Sequence, residues 1–269
     1  MQTDRDDQGL DEALEQATAS LEAGDPELAL TQASRSGLEG PRALLEVRAY
    51  LDLGMLEPAR TRLEAAASSL GDDDLEVVEL RGEVALESWD LEGAGAAFQA
   101  VLAVERDPWI CERLALLADH AGDHDHAHAL MVEAAELDPD RPAPVRITAP
   151  TFDRIVEEAL ASLAPPFAQR VQAIRVVREP VPFRELVDPR DPSATPPDIL
   201  GLFVGPTIHD LAEDFPAQLP PSIYLFQRNL ERMARDDEHL AEEIRVTLFH
   251  EIGHLLGLDE DGVAALGLA

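Results

Sequence analysis

The sequence predicts an α+β protein with two domains, an N-terminal all-helical domain over residues 1–145 and a smaller mixed domain over residues 146–269. Up to about residue 145, Ala, Leu and Glu dominate and no strand-like alternation occurs, which is typical of consecutive helices. Beyond Arg141, Pro becomes frequent, and short β-branched and aromatic runs lie between two amphipathic segments. With 45% hydrophobic residues, the chain can form two separate cores.

The chain is strongly acidic. It carries 54 acidic residues against 21 basic residues, all of them Arg, and its net charge is −33. Residues 1–145 contribute −23 of this charge and residues 146–269 contribute −10. Such a chain repels phosphate, which excludes nucleic acid and anionic membrane surfaces as expected partners.

The N-terminal residues and the cysteine content predict a cytoplasmic protein. Residues 1–7 are acidic and lack the basic-then-apolar pattern of a signal peptide. No apolar run approaches the roughly 20 residues that span a bilayer. The single cysteine, Cys111, excludes an internal disulfide and a multi-cysteine zinc site.

A short motif recurs four times in the helical half, as a turn residue followed five positions later by alanine. The turn residues are Gly24, Gly54, Trp89 and Gly122, and the alanines are Ala29, Ala59, Ala94 and Ala127. The alanines are 30, 35 and 33 residues apart. Over residues 9–140 this pattern resembles the tetratricopeptide repeat, a helix–turn–helix unit of about 34 residues. The resemblance implies a helical repeat array that recruits a protein partner, and a generic array of helical hairpins is the alternative.

The second half mixes helices and strands. The pattern predicts an amphipathic helix over 152–163, strands over 171–177, 199–204 and 223–226, and a last helix from Asp236 or Asp237 to Leu256. Gly257 is expected to end this helix, because glycine adopts the left-handed conformation at low cost.

The last helix carries a candidate metal site in the run His250-Glu251-Ile252-Gly253-His254. Histidines four residues apart project from one helix face, so both imidazoles can reach one zinc ion. Glu251 lies beside the first histidine, where its carboxylate can act as the general base toward water.

The surroundings of this motif strengthen the prediction. Apolar residues cover most faces of the helix, which indicates burial, and the remaining face carries Glu243, Thr247, His250 and His254. Buried ionisable groups are costly unless they are paired or bind a metal. Two core histidines with ordinary partners are the alternative.

A catalytic zinc site needs a third protein ligand. Asp259, Glu260 and Asp261 follow the helix directly and are all candidates. Glu260 lies ten residues after His250, the position used in the pattern H-E-x-x-H-x-x-G-x-x-ligand, so it is the preferred candidate.

Residues 152–262 resemble the small bacterial zincin-like metallopeptidases, also called minimal zincins. The matching segments are residues 152–163, 174–177, 200–205, 223–226 and 250–260. The resemblance implies a small α+β domain with a mixed sheet, zinc bound by His250 and His254, and Glu251 as the catalytic residue. The family usually has Asp where this chain has Glu260, and the longer side chain could pass the ligand role to Asp261.

The sequence therefore predicts a zinc metallopeptidase that cleaves a peptide or protein substrate, with a repeat domain that recruits a partner or the substrate. Two alternatives remain, a non-catalytic interaction scaffold with a structural or vestigial zinc site and a hydrolase of carbohydrates or small amides. The strand over 200–205 is a candidate edge for docking of an extended peptide.

Several other side chains are weaker candidates. Tyr224 could stabilise an oxyanion or simply pack, and Arg228 could serve the site, whereas Arg245 more often pairs with a surface acid. His120, His124, His126 and His128 form a second histidine cluster, either an adventitious metal site or exposed residues on an acidic loop.

Overall fold

The computed structural model describes residues 3–163, 171, 174–188, 190–206 and 221–258, with side-chain surroundings from residue 12 onward. No helix in this part of the chain is long and apolar enough to cross a bilayer. The chain divides into two compact units, one formed by Met1–Leu114 with Arg184–Pro197 and the other by Ala115–Phe183 with Asp198–Ala269. This division falls inside a helix, whereas the boundary at residue 145 was inferred from composition and stays a prediction.

Residues 3–137 form consecutive helices connected by short turns. These helices are α1 (Thr3–Glu22), α2 (Pro26–Ala33), α3 (Glu39–Asp52), α4 (Leu56–Leu70), α5 (Leu75–Glu87), α6 (Leu91–Leu102), α7 (Pro108–His120) and α8 (His124–Leu137). The division between the two compact units falls within α7.

The four turn residues of the sequence motif share one backbone conformation. Gly24, Gly54, Trp89 and Gly122 have φ values of 76°, 67°, 59° and 81°, and each lies in the turn before an even-numbered helix, α2 to α8. The four motif alanines are all completely buried, because a small side chain allows neighbouring helices to approach closely. The aligned positions are thus structurally equivalent, and the identification of the hairpins as tetratricopeptide repeats stays a prediction.

Trp89 occupies a backbone position that glycine takes in the other three turns. Among the described residues it is the non-glycine residue with a positive φ, a conformation that costs on the order of 1 kcal/mol. Its indole Nε1 donates a hydrogen bond of 2.7 Å to the carbonyl of Thr195. The segment Arg184–Pro197 therefore joins the first unit through a side chain that replaces the turn glycine.

The second half contains helices and strands, as predicted. Its elements are α9 (Ala149–Ala161), β1 (Arg175–Glu179), β2 (Gly201–Val204), β3 (Ser222–Phe226), α10 (Gln227–Met233) and α11 (Asp237–Leu255). The strand order is β1-β3-β2, with β1 parallel and β2 antiparallel to β3. The predicted α+β class and mixed sheet are confirmed.

One core holds the sheet against α9 and α11. It is formed by Val145, Phe152, Val156, Ala159, Ile223, Leu225, Leu230, Ala234, Leu240, Ile244, Leu248, Phe249 and Ile252. The prediction that α11 is buried on several faces is confirmed. Its N-cap is Asp236, whose side chain accepts a hydrogen bond from the backbone N–H of His239. Gly257 follows the helix with φ 83°, as expected for a helix end.

A buried ion-pair cluster, which the sequence did not predict, holds α10 in the second unit. The Glu231 carboxylate is buried and accepts hydrogen bonds of 2.7 Å from both Arg146 and Arg228. Asp119, also buried, accepts a hydrogen bond of 2.7 Å from Arg232. Burial lowers the pKa of Arg232, and the negative charge of Asp119 acts against that shift.

We expect Glu231→Ala to destabilise the second unit by about 3–5 kcal/mol, because it removes the buried acceptor of two partly buried arginines and of the Ile147 N–H. Urea unfolding of the full chain measures this change. Glu158→Ala is the matched control, since Glu158 pairs with Arg154 on the exposed surface of α9, and it should change stability by less than about 1 kcal/mol. Equal effects of the two substitutions would contradict a structural role for the cluster.

We expect Ala94→Leu to destabilise the first unit by about 1–3 kcal/mol, because Ala94 is completely buried and a larger side chain overpacks the contact. Ala96→Leu in the same helix is the control, since Ala96 is exposed and should tolerate the change within about 0.5 kcal/mol. The free energy of unfolding in urea distinguishes the two. An unchanged free energy of unfolding in Ala94→Leu would show that the hairpins do not need a small residue at this position.

Candidate metal centre

The two histidines of α11 converge on one point. Their Nε2 atoms are 2.9 Å apart, and the ring centroids are 4.6 Å apart with an interplanar angle of 78°. Two nitrogen ligands of one tetrahedral zinc ion, each at about 2.0–2.1 Å, lie roughly 3.3–3.4 Å apart. A shift of a few tenths of an ångström would therefore allow His250 and His254 to bind one ion.

The end of α11 fixes the orientation of the His254 ring. Gly257 reverses the chain, and the Leu258 N–H then donates to the carbonyl of Gly253 at 3.1 Å. The Leu258 carbonyl in turn lies 3.2 Å from Nδ1 of His254. A carbonyl oxygen can only accept, so this contact is a hydrogen bond in the tautomer that has its proton on Nδ1, and that tautomer has its lone pair on the Nε2 atom that faces His250. This is the arrangement of a histidine that binds a metal through Nε2.

Glu251 points to strand β2. Its side chain is nearly buried, with 7% exposure for the residue, and its Oε2 atom accepts a hydrogen bond of 2.7 Å from the backbone N–H of Phe203. The general-base candidate thus lies between the metal-binding face of α11 and the backbone of β2.

The close approach of α11 to β2 depends on Gly201. A Cβ atom at this position would lie 2.6 Å from Cγ2 of Thr247 and 3.3 Å from Oε1 of Glu251. A real side chain would therefore push α11 and its carboxylate away from the strand. Sequence reasoning did not single out Gly201 in this role, although a glycine inside a strand signals a close approach of another group.

The remaining polar residues of the predicted site have other contacts. Thr247 is buried beside Gly201, and Oε1 of Glu243 lies 3.2 Å from Nε2 of His239 on the same helix. The structure thus places His250, Glu251 and His254 together at the C-terminal end of α11, whereas Glu243 is paired near its N-terminal end.

The three candidates for a third ligand lie outside the described residues. Asp259, Glu260 and Asp261 follow Leu258 and are not described. Within the ranges that the structure describes, no three His, Cys, Asp or Glu side chains group as a metal site. The donor chemistry of the described pair fits zinc, since two imidazole Nε2 atoms converge on one point.

The second histidine cluster does not assemble. His124 Nδ1 lies 2.9 Å from Oδ1 of the buried Asp119, while His126 and His128 are exposed. None of these residues belongs to a metal-binding group of three in the described part of the chain.

The weaker candidates lie in ordinary structural environments. Tyr224 packs edge-on against Phe183 with ring centroids 5.9 Å apart and stacks on Phe226 at 6.5 Å. Arg228 pairs with Glu231. Arg245 is hydrogen-bonded to Glu242, and this contact raises the pKa of Arg245 and lowers that of the exposed Glu242.

We expect full-length protein to bind one zinc ion per chain and His254→Ala to lose it, because a single imidazole from α11 cannot replace two converging ligands. Metal analysis after dialysis measures the stoichiometry. His126→Ala is the control, since this exposed histidine lies in the second cluster, and it should keep the metal. Retention of zinc in His254→Ala would contradict the site.

Comparison with known proteins agrees with this geometry. No curated protein matches the chain. Residues 171–268, which include all three strands, α11 and the three carboxylates beyond it, match the family model of zincin-like metallopeptidases. The matched range begins after α9, so the N-terminal helices lie outside it. The C-terminal part of the chain is therefore similar to zincin-like metallopeptidases.

Proposed function

We propose that this protein is a zinc-dependent hydrolase, a metallopeptidase that cleaves peptide bonds. The observation that carries the proposal is the convergence of the His250 and His254 Nε2 atoms at 2.9 Å beside the buried carboxylate of Glu251. The match of residues 171–268 to zincin-like metallopeptidases supports the same chemistry.

In this proposal His250 and His254 hold the metal, and a carboxylate that follows the helix completes the site. Glu260 is the preferred third ligand, with Asp261 and Asp259 as alternatives. When bound, zinc supplies Lewis-acid polarisation of the scissile carbonyl and a water molecule of lowered pKa. Gly257 and the Leu258 carbonyl keep Nδ1 of His254 protonated, so that Nε2 stays available as a ligand.

Glu251 carries the proton transfers of the reaction. Its carboxylate takes a proton from water as the C–O bond forms, and it delivers that proton to the leaving amine as the C–N bond breaks. The low exposure of Glu251 excludes most bulk water, which strengthens these electrostatic interactions.

An extended peptide fits the edge of the sheet as a substrate. β2 pairs with β3 on one side, and backbone groups on its other side can pair with an added strand. The helical hairpins of the first half would recruit the substrate or a protein partner, as helical repeat arrays do.

We expect Glu251→Gln to keep zinc and to lose peptide hydrolysis by about 10²–10⁴-fold, because the amide cannot accept the proton from water. Cleavage of a dye-labelled unfolded protein by the full chain measures the loss. Glu243→Gln is the control, since Glu243 pairs with His239 elsewhere on the same helix, and it should remain active. A zinc-loaded wild type without hydrolysis would favour the scaffold function instead.

A further inference from the structure

One edge of strand β2 pairs with no other strand of the sheet that the described residues form. Gly201 lies opposite Leu225 and Phe203 opposite Ile223, and the Leu200 carbonyl accepts a hydrogen bond from the Phe226 N–H. Because hydrogen-bonded pairs alternate in an antiparallel ladder, the amides of Gly201 and Phe203 face away from β3. In the sheet that the described residues form, β2 is an edge strand.

The general-base candidate occupies this edge. Oε2 of Glu251 accepts the outward N–H of Phe203 at 2.7 Å, and Oε1 lies against Gly201, 3.3 Å from where a Cβ would be. Both carboxylate oxygens therefore lie along the strand, and the residue is only 7% exposed. We call the hydrogen bond between Oε2 of Glu251 and the Phe203 N–H the edge latch.

The edge latch uses a donor that a docking peptide also needs. Each residue has one backbone N–H, and in strand addition the outward amides of the edge strand donate to the peptide carbonyls. A peptide carbonyl paired with Phe203 would therefore compete with the Glu251 carboxylate. The second outward amide, at Gly201, offers the peptide a further hydrogen bond that helps to offset the lost carboxylate contact.

We propose that the edge latch holds Glu251 on β2 in the free protein and that an extended polypeptide, by pairing with β2, displaces the carboxylate and frees it to act on water. This inference rests on the proposed function and specifies its substrate class. Extended polypeptide segments are substrates, whereas a small amide that cannot pair with β2 leaves the base latched.

The latch itself can be tested without catalysis, by amide hydrogen exchange of the full-length, zinc-loaded protein. In Glu251→Ala the Phe203 amide should exchange at least about tenfold faster than in wild type, because it loses a carboxylate acceptor. The Leu202 and Val204 amides, which face β3, should keep their protection and so report an intact sheet. Glu243→Ala is the matched control, since it removes a carboxylate of the same helix, and it should leave the Phe203 amide protected.

We call the release of Glu251 by a peptide that pairs with β2 the gate. It can be tested by removing single backbone N–H groups without changing any side chain. Phenyllactate in place of Phe203 turns one backbone amide into an ester, and glycolate in place of Gly201 does the same at the other outward amide. Each ester also weakens one carbonyl of the β2–β3 ladder, so the two variants are matched. Two substrates are compared, an extended peptide of about ten residues and a blocked dipeptide with the same scissile bond.

The gate predicts that phenyllactate at position 203 reduces the preference for the extended peptide. Its kcat/KM on the dipeptide should rise about tenfold, because the base is no longer latched, whereas its kcat/KM on the extended peptide should change less, because the ester also removes one hydrogen bond to that peptide. Glycolate at position 201 should lower cleavage of the extended peptide and bring no gain on the dipeptide. An equal change in kcat/KM on both substrates at position 203 would overturn the gate.

The outcomes separate this inference from the proposed function. An unchanged Phe203 exchange rate in Glu251→Ala overturns the latch, whatever the activity. If Glu251 protects the Phe203 amide but the wild-type protein cleaves neither substrate, the proposed function and the gate are both overturned. The contact between Glu251 and Phe203 then has a structural role only.

Discussion

The close approach of helix α11 to strand β2 is the constraint on which the candidate site depends. Gly201 permits it, because a side chain there would collide with Thr247. The approach brings the Glu251 carboxylate to a backbone N–H of β2, which satisfies a nearly buried charge that would otherwise be costly. It also sets the positions of His250 and His254, which lie on the same helix within one turn of Glu251.

Much of the fold followed from the sequence because local patterns dominate it. Asp236 caps α11 and Gly257 ends it, as cap chemistry predicts. Helix α10 was missed, since its seven residues follow β3 without a capping side chain. The strand predicted over 171–177 runs over Arg175–Glu179 instead, and Val171 has a helical backbone, because the apolar run that predicted it begins before the residues that pair with β3.

The part of the candidate site that lies within one helix was predictable from the sequence. The spacing of His250 and His254 lies within one helix, so the sequence alone determines that they share a face. The contact between Glu251 and Phe203 joins residues 48 positions apart, and only the packing of α11 on the sheet creates it. The hydrogen bond of the Trp89 side chain was not predicted for the same reason, because its acceptor, the carbonyl of Thr195, is distant in the sequence.

The partners of the buried carboxylates differ in a way that matches their roles. Glu231 and Asp119 accept hydrogen bonds from arginine, and charged pairs of this kind are costly to separate. Oε2 of Glu251 instead accepts from a backbone amide, a neutral donor that binds a carboxylate less strongly than a guanidinium does. A carboxylate that takes up and releases protons, as we propose for Glu251, has to exchange its partners. An amide on an edge strand is suited to this, because an incoming peptide carbonyl can replace the carboxylate there.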